Sequence, residues 1–299
     1  MREVCVIGGN RYFGRRLVLL LRDAGAHVTV LNRGSAAPPP GVEHLVADRE
    51  DGAALTAALG DRSFDVVVDQ VCYTPQAAQT ALRAFHGRVG RYLMTSTIEV
   101  YDTEEARLAS TGAPLTEAAV DPARWPVAPL GSLGSLGSVS ELSYGEGKRQ
   151  AEAVFAQRAP FPFAAVRCGH VLGAEDFTGR LQHYTERIDA GRPVLVHPAN
   201  LPSSYTNEVE MADFLFWAAG ADFTGAVNAS SHGELTATDI CDLLAAGRPY
   251  RTAAPADGES ASPFSFGHYY GMDNSRAERL GFAFSHTRDW LPDLLAANR

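Results

Sequence analysis

The stretch Val4-Cys5-Val6-Ile7-Gly8-Gly9-Asn10-Arg11-Tyr12-Phe13-Gly14 decides the fold of this chain. Its first four residues form a short apolar run, mostly β-branched, which reads as a buried parallel strand. A glycine-bearing turn follows. Leu17, Val18, Leu20 and Leu21 then recur at helical spacing up to Gly25, and His27 to Leu31 reads as a second strand. Together these make a βαβ unit, in which a helix N-terminus presents free N–H groups suited to a pyrophosphate. The turn departs from the usual G-x-G-x-x-G, because Arg11 stands where a middle glycine is expected.

Working outward, strand-like runs recur at Val4–Ile7, Val28–Leu31, His44–Val46, Val66–Asp69 and Tyr92–Thr95, with helical stretches between them. This alternation predicts an α/β fold with a doubly wound parallel sheet, of Rossmann type. Residues 36–41 read as an exposed loop. Prolines 114, 122, 126 and 129 break the pattern from Asp102 to Leu142. Residues 131–138 repeat Gly-Ser-Leu and read as a flexible segment that could cover a pocket. A helix is expected over Glu141–Ala156, a buried strand over Phe163–Arg167, and helices over Thr236–Ala245 and Arg288–Ala297. The expected division is a dinucleotide-binding domain over residues 1–168. Residues 169–299 would form mainly a small substrate lobe, with some segments returning to the sheet.

The predicted helix near residue 150 carries the chemistry. Tyr144 and Lys148 stand four apart and so share one helix face. A cation beside a phenol favours the phenolate, and the expectation is a tyrosine pKa drawn toward neutrality. Such a tyrosine can exchange a proton with a hydroxyl or carbonyl.

Composition narrows the class. The chain has 299 residues, 45% of them hydrophobic, and a formal net charge of −9. The acidic balance argues against a nucleic-acid surface. No run of 18 apolar residues exists, so no transmembrane helix is expected. With a strand starting at residue 4, no signal peptide is expected either. Cys5, Cys72, Cys168 and Cys241 lie far apart without any C-x-x-C, which predicts reduced, buried thiols, a cytoplasmic location and no metal site. The nine histidines, including His170 and His197, show no metal spacing.

These features resemble the short-chain dehydrogenase/reductase superfamily, in particular its extended or atypical epimerase/dehydratase branch. Gly8, Asn10, Arg11, Tyr12, Phe13 and Gly14 sit where that family binds the pyrophosphate. Asp48 and Arg49, in Val46-Ala47-Asp48-Arg49, resemble its adenine contact. Thr95-Ser96-Thr97-Ile98-Glu99-Val100-Tyr101 resembles its Ser-Ser-x-x-x-Val-Tyr segment, and Val166–Gly173 and Tyr205–Ala212 resemble two further stretches. The resemblance implies that Thr97, Tyr144 and Lys148 are catalytic, with Lys148 also holding the nicotinamide ribose. It implies NADP or NAD as cofactor. Asn32 and Arg33 close the second strand where NAD binders usually carry an acid, and with Arg11 they favour NADP.

The implied activity is that of an oxidoreductase, or of an epimerase that oxidises and then reduces, with hydride transfer to or from a hydroxyl or keto carbon of a nucleotide sugar or a polyhydroxylated or polyketide-type metabolite. Two alternatives stand beside it. Thr97-Ile98-Glu99-Val100-Tyr101 also resembles the motif of sugar-nucleotide dehydratases and decarboxylases, with Glu99 as an extra acid/base, although Ile98 replaces the aspartate that dehydratases carry. The Gly-Gly-x-Arg turn also resembles an atypical branch with plant plastid members linked to RNA, which opens a binding protein without turnover. Arg180 is a candidate contact for a substrate anion. The expected partner is a small molecule, with neither membrane nor nucleic acid; a homodimer is left open.

Overall fold

The computed structural model describes residues 2–110, 112–128 and 142–297. The Gly-Ser-Leu repeat at 131–138 lies outside them. The chain forms two compact units. One comprises residues 1–102, 120–168 and 212–227, and the other residues 103–119, 169–211 and 228–299.

The first unit is built on a seven-stranded sheet. Its strands are β1 (Glu3–Ile7), β2 (His27–Asn32), β3 (Glu43–Val46), β4 (Phe64–Asp69), β5 (Val89–Thr97), β6 (Phe163–Cys168) and, later in the chain, β10 (Gly225–Ala229). The order is β10-β6-β5-β4-β1-β2-β3. Pairing from β3 through to β6 is parallel, with Ile7 opposite both Leu31 and Asp69, and Thr97 opposite Cys168. Strand order reverses between β1 and β4, so the loops after them part at one edge of the sheet. That is where ligands settle in open α/β sheets.

Local chemistry sets the helices of this unit. In α1 (Tyr12–Asp23), Leu17, Val18 and Leu21 are buried on one face. The first turn of α2 (Gly52–Leu59) is capped by Asp51, which accepts from the N–H groups of Ala53 and Ala54 at 3.0 Å. Thr74 caps α3 (Pro75–Ala84), and Pro75 stands in its first turn, where a missing N–H costs nothing. Ser143 caps α5 (Tyr144–Arg158), which packs against α3. Leu55, Phe85, Tyr92, Met94, Val154 and Phe155 belong to the core between sheet and helices.

The second unit holds α4 (Glu104–Ser110), β7 (His170–Leu172), α6 (Arg180–Asp189), β8 (Val194–Leu195), β9 (Tyr205–Asn207), α8 (Ala237–Ala245), β11 (Thr252–Ala253), α9 (Ser275–Leu280) and α10 (Thr287–Ala297). Helix α7 (Glu208–Gly220) passes from this unit into the first. β7 pairs with β9 and β8 with β11, both in parallel. A reciprocal capping box between Thr236 and Asp239 starts α8.

The doubly wound sheet expected from the alternation is present, and the expected strands fall on β1 to β6. The expected helix at Glu141–Ala156 begins at Tyr144, because Ser143 accepts the N–H of Glu146 and ends the preceding loop there. β10 had no periodic signal, since Ala226 and Val227 are too short an apolar run to separate from a loop. All four cysteines are buried, and none forms a disulfide among the described residues. Among the described residues no helix is long and apolar enough to cross a membrane.

Candidate active site

Tyr144 and Lys148 occupy the first turns of α5, and two glycines let that helix in. At Gly147 a Cβ would lie 2.5 Å from the carbonyl oxygen of Tyr73, and at Gly145 one would collide with the carbonyl oxygen of Glu99. The pattern Tyr-Gly-Glu-Gly-Lys thus allows the helix to rest on backbone at two points. Arg149 fastens the second point. Its Nη1 donates to the carbonyls of Glu99 and Val100 at 3.1 Å each, while Nε pairs with Glu146 at 2.8 Å. The 3-10 turn Ile98–Tyr101 is thereby pinned to α5, and Thr97, at the end of β5, faces Tyr144.

The Thr97 hydroxyl accepts the N–H of Glu99 at 3.2 Å and stands close enough to the Tyr144 phenol to favour its ionised form. Glu99 stands on the same turn, near enough for its carboxylate to disfavour the phenolate. Lys148 is 1% exposed, and its Nζ donates to the carbonyl of Thr95 at 2.7 Å. The ammonium lies 4.6 Å from the ring centroid of Tyr73 and 5.9 Å from that of Tyr144. Among the described residues it pairs with no carboxylate.

One electrostatic expectation is corrected. The Tyr144 pKa is raised, not drawn toward neutrality, with burial as the largest cause and Cys168 next. Tyr144 is half exposed, yet burial of its phenol is the largest cause of the rise. Burial also lowers the pKa of Lys148. The same low-dielectric surroundings penalise phenolate and ammonium alike, and the Lys148 proton is given to Thr95 rather than to the phenol.

The glycine turn and its neighbours form the second part of the site. Gly8 and Gly9 have φ values of +97° and +82°. A Cβ on Gly9 would meet Val6 at 2.9 Å, so strand and helix close on this turn only with glycine there. Arg11 is the N-cap of α1 and makes no side-chain cap. Asn10 ties the turn to the loop after β2, its Nδ2 donating to the carbonyl of Ala36 at 2.6 Å. Tyr12 is buried, and its ring lies 5.3 Å from that of Phe13. Gly14 lacks the Cβ that the Gln70 carboxamide would strike. Arg11 and Arg33 are exposed and carry no ion pair among the described residues. The Asn32 Oδ1 accepts the N–H of Gly34 at 2.8 Å and lies 3.1 Å from the His44 ring.

Asp48 is exposed and accepts the N–H of Glu50 at 3.0 Å. Arg49 turns inward, pairing with Asp69 at 2.9 Å and donating to the carbonyl of Ala77, so its guanidinium is committed to the core. Arg180 lies in the other unit. It donates to the carbonyl of Val171 at 2.8 Å and sits 5.1 Å from the Phe264 ring, with Asp176 at 3.6 Å. His170 is buried in the same unit, stacked on Phe266, with its pKa pushed down to about 3 by burial.

A dinucleotide fits the first unit on its own evidence. Asn10 Oδ1, Gln70 Nε2, Asn32 Nδ2 and Thr95 Oγ1 are buried without a hydrogen-bond partner, an unusual concentration at the C-terminal ends of β1, β2, β4 and β5. Gln70, Tyr73 and Arg149 went unmarked in sequence. Only the glycines at 14, 145 and 147, each placed where another residue presses in, signalled them.

The sequence model of the NAD dependent epimerase/dehydratase family matches residues 4–204. The 2′-dehydrokanamycin reductase of Streptomyces kanamyceticus is 32% identical over 201 residues, covering 65% of this chain and 51% of that protein. The chloroplast stem-loop binding protein of 41 kDa b of Arabidopsis thaliana is 24% identical over 225 residues, covering 70% and 52%. The chain thus spans about half the length of these curated relatives. The crystal structure of the Bordetella bronchiseptica enzyme WbmH in complex with NAD+ shares the fold, with a TM-score of 0.70 at 16% identity over 99% of this chain and 97% of that one.

Proposed function

The chain belongs to the NAD dependent epimerase/dehydratase family, and from that premise we propose that it is an NAD(P)-dependent oxidoreductase interconverting a ketone and a secondary alcohol on a polyhydroxylated, sugar-like substrate. The observation that carries this reading is the Thr97 hydroxyl against the Tyr144 phenol, beside a buried lysine that forms no ion pair among the described residues. A structural lysine would be expected to find an ion-pair partner. The Streptomyces relative, by its name a reductase of 2′-dehydrokanamycin, supports the substrate class.

In this mechanism the reacting oxygen sits against the Tyr144 phenol and the Thr97 hydroxyl. Bound nicotinamide dinucleotide supplies or accepts the hydride. In reduction, Tyr144 gives its proton to the oxygen as the carbon gains hydride, and in oxidation it takes that proton back. Thr97 holds the same oxygen, and the Lys148 ammonium favours the phenolate that Tyr144 becomes. Lys148 has donors beyond its bond to Thr95, and these suit ribose hydroxyls. The Gly8–Gly14 turn holds the pyrophosphate. Arg11 and Arg33, on loops tied by Asn10, hold a 2′-phosphate, so NADP is favoured over NAD.

The test is a panel of keto-sugars and polyols with NADPH, NADH and their oxidised forms, followed by absorbance. Tyr144→Phe should lower turnover roughly 10²-fold or more and leave cofactor affinity nearly intact. Equal turnover in that variant overturns the assignment. The Arabidopsis relative's name suggests a second reading, stem-loop binding. A titration with structured RNA at physiological salt separates the two, and the net charge of −9 leads us to expect no specific complex.

A further inference from the structure

We propose that Tyr73 is a positioning residue that holds the Lys148 ammonium on its ring face and thereby sets the pH range over which this lysine stays charged. The inference rests on the proposed role of Lys148 and adds a group that lies outside the Thr97, Tyr144 and Lys148 set.

Three observations converge. Lys148 is the only lysine among the 299 residues; every other side-chain cation of that kind is an arginine. A chain that uses arginine throughout keeps a lysine where a permanently charged planar fork does not serve. That lysine is buried, and one carbonyl, Thr95, is its hydrogen-bond partner. The rest of the ammonium is met by aromatic faces, of which Tyr73 is the nearer at 4.6 Å.

The position of Tyr73 is built in. Its carbonyl rests against Gly147, where a Cβ would lie at 2.5 Å, so residue 73 and the first turn of α5 are held in contact. Its ring lies 6.1 Å from that of Tyr144 at an interplanar angle of 52°, which places the lysine beside two tilted rings. Yet 46% of the Tyr73 surface is open, more than a core aromatic would leave.

The other charged or titratable groups near Lys148 are accounted for. Asp69, at the end of β4, is taken by Arg49 at 2.9 Å and by the Tyr92 hydroxyl at 2.6 Å. Cys72 is buried with its pKa raised by that burial, and so is a neutral thiol. Cys168, at the end of β6, places its sulfur 3.1 Å from the carbonyl of Ser96. The Tyr144 and Tyr73 phenols have raised pKa values through burial and remain neutral. Asp69 still favours the Lys148 charge and Arg49 opposes it, so the attraction made in direct contact with the ammonium falls on the ring faces and on the Thr95 carbonyl.

A single lysine makes this directly measurable. Protein labelled with ¹³C at the lysine ε-carbon gives one signal, whose pH titration reports Lys148 without substrate or cofactor. Tyr73→Phe, which keeps the ring face, should titrate like the parent. Tyr73→Leu should shift the midpoint down by about one pH unit. Trifluorophenylalanine at position 73 keeps the shape while weakening the face, and should fall between them; it serves if the leucine variant folds poorly. Once a substrate is identified, the alkaline limb of the pH–rate profile should move with the NMR midpoint. A leucine or trifluorophenylalanine variant that titrates with the parent overturns the role of Tyr73, whatever turnover does. Loss of the Tyr144 assignment would instead appear as equal turnover in Tyr144→Phe, with the lysine titration untouched.

Discussion

Two of the cations enclosed in the sheet-bearing unit, Arg167 and Lys148, are provisioned in opposite ways. Arg167, on β6, is fully buried and meets Glu152 through Nη2 at 2.7 Å and Nε at 3.2 Å. It also reaches the Tyr101 hydroxyl at 3.0 Å and the Val120 carbonyl at 2.8 Å. The Ser96 hydroxyl completes the carboxylate. Lys148, on the neighbouring helix and almost equally buried, has a carbonyl and ring faces and no counter-ion among the described residues. A charge that holds structure together is satisfied within the protein, because an unpaired one costs several kcal/mol. A charge left short of partners is stabilised fully only when something else arrives. The contrast separates a structural network from a site.

The largest effect should come from breaking the satisfied network. Glu152→Ala leaves Arg167 buried without its counter-ion, and denaturant unfolding should show a loss of about 3–5 kcal/mol. A loss below about 1 kcal/mol would mean that water or other groups already carry the charge. At the other site, Lys148→Met should cost roughly 10²-fold or more in turnover while stability holds or rises slightly. The sign with pH follows from the lowered pKa of Lys148 in the folded chain. The unfolded state binds more protons between the folded and unfolded values, so parent stability rises with pH through that window. Any advantage of Lys148→Met should be full below the folded pKa and fade on the alkaline side. Urea titrations across the alkaline range would show it, and an advantage that grows there would contradict the reading.

A smaller effect tests how the site is supported. Gly147→Ala places a methyl against the Tyr73 carbonyl and should cost about 1–3 kcal/mol through overpacking, with turnover falling as α5 shifts. Unchanged melting and turnover would show that the contact at this point is slack. The smallest effect concerns the exposed arginines. In calorimetry with both cofactors, Arg11→Ala/Arg33→Ala should remove an NADP preference of about tenfold, or 1.4 kcal/mol. If the affinity ratio does not move, the two arginines serve solvent or the pyrophosphate.

Much of the first unit was legible because its signals are local. Short β-branched runs mark β1, β2 and β4, whereas the Ser143 cap that starts α5 went unread and the helix was expected from Glu141. Tyr144 and Lys148 were readable for the same reason, since four residues of helix fix their common face. What was not legible depends on contacts between distant segments. β10 is too short to announce itself, and nothing local distinguishes Arg49, drawn to Asp69, from Arg11 and Arg33, which stay in solvent. The electrostatic expectation for Tyr144 failed on the same ground: spacing places a lysine near a phenol, but burial decides whether either group prefers its charge.

By itself, then, the sequence determined the βαβ start, the parallel sheet, the helix that carries Tyr144 and Lys148, and the glycines that permit close approach, all consequences of periodicity and backbone stereochemistry over a few residues. The tertiary structure alone decided which cations are paired. It set Arg167 among Glu152, Tyr101 and Val120, and it set Tyr73 over a lysine 75 positions away. Pairing and desolvation depend on which groups share a low-dielectric volume, and that volume exists only once the strands of the sheet have been brought side by side.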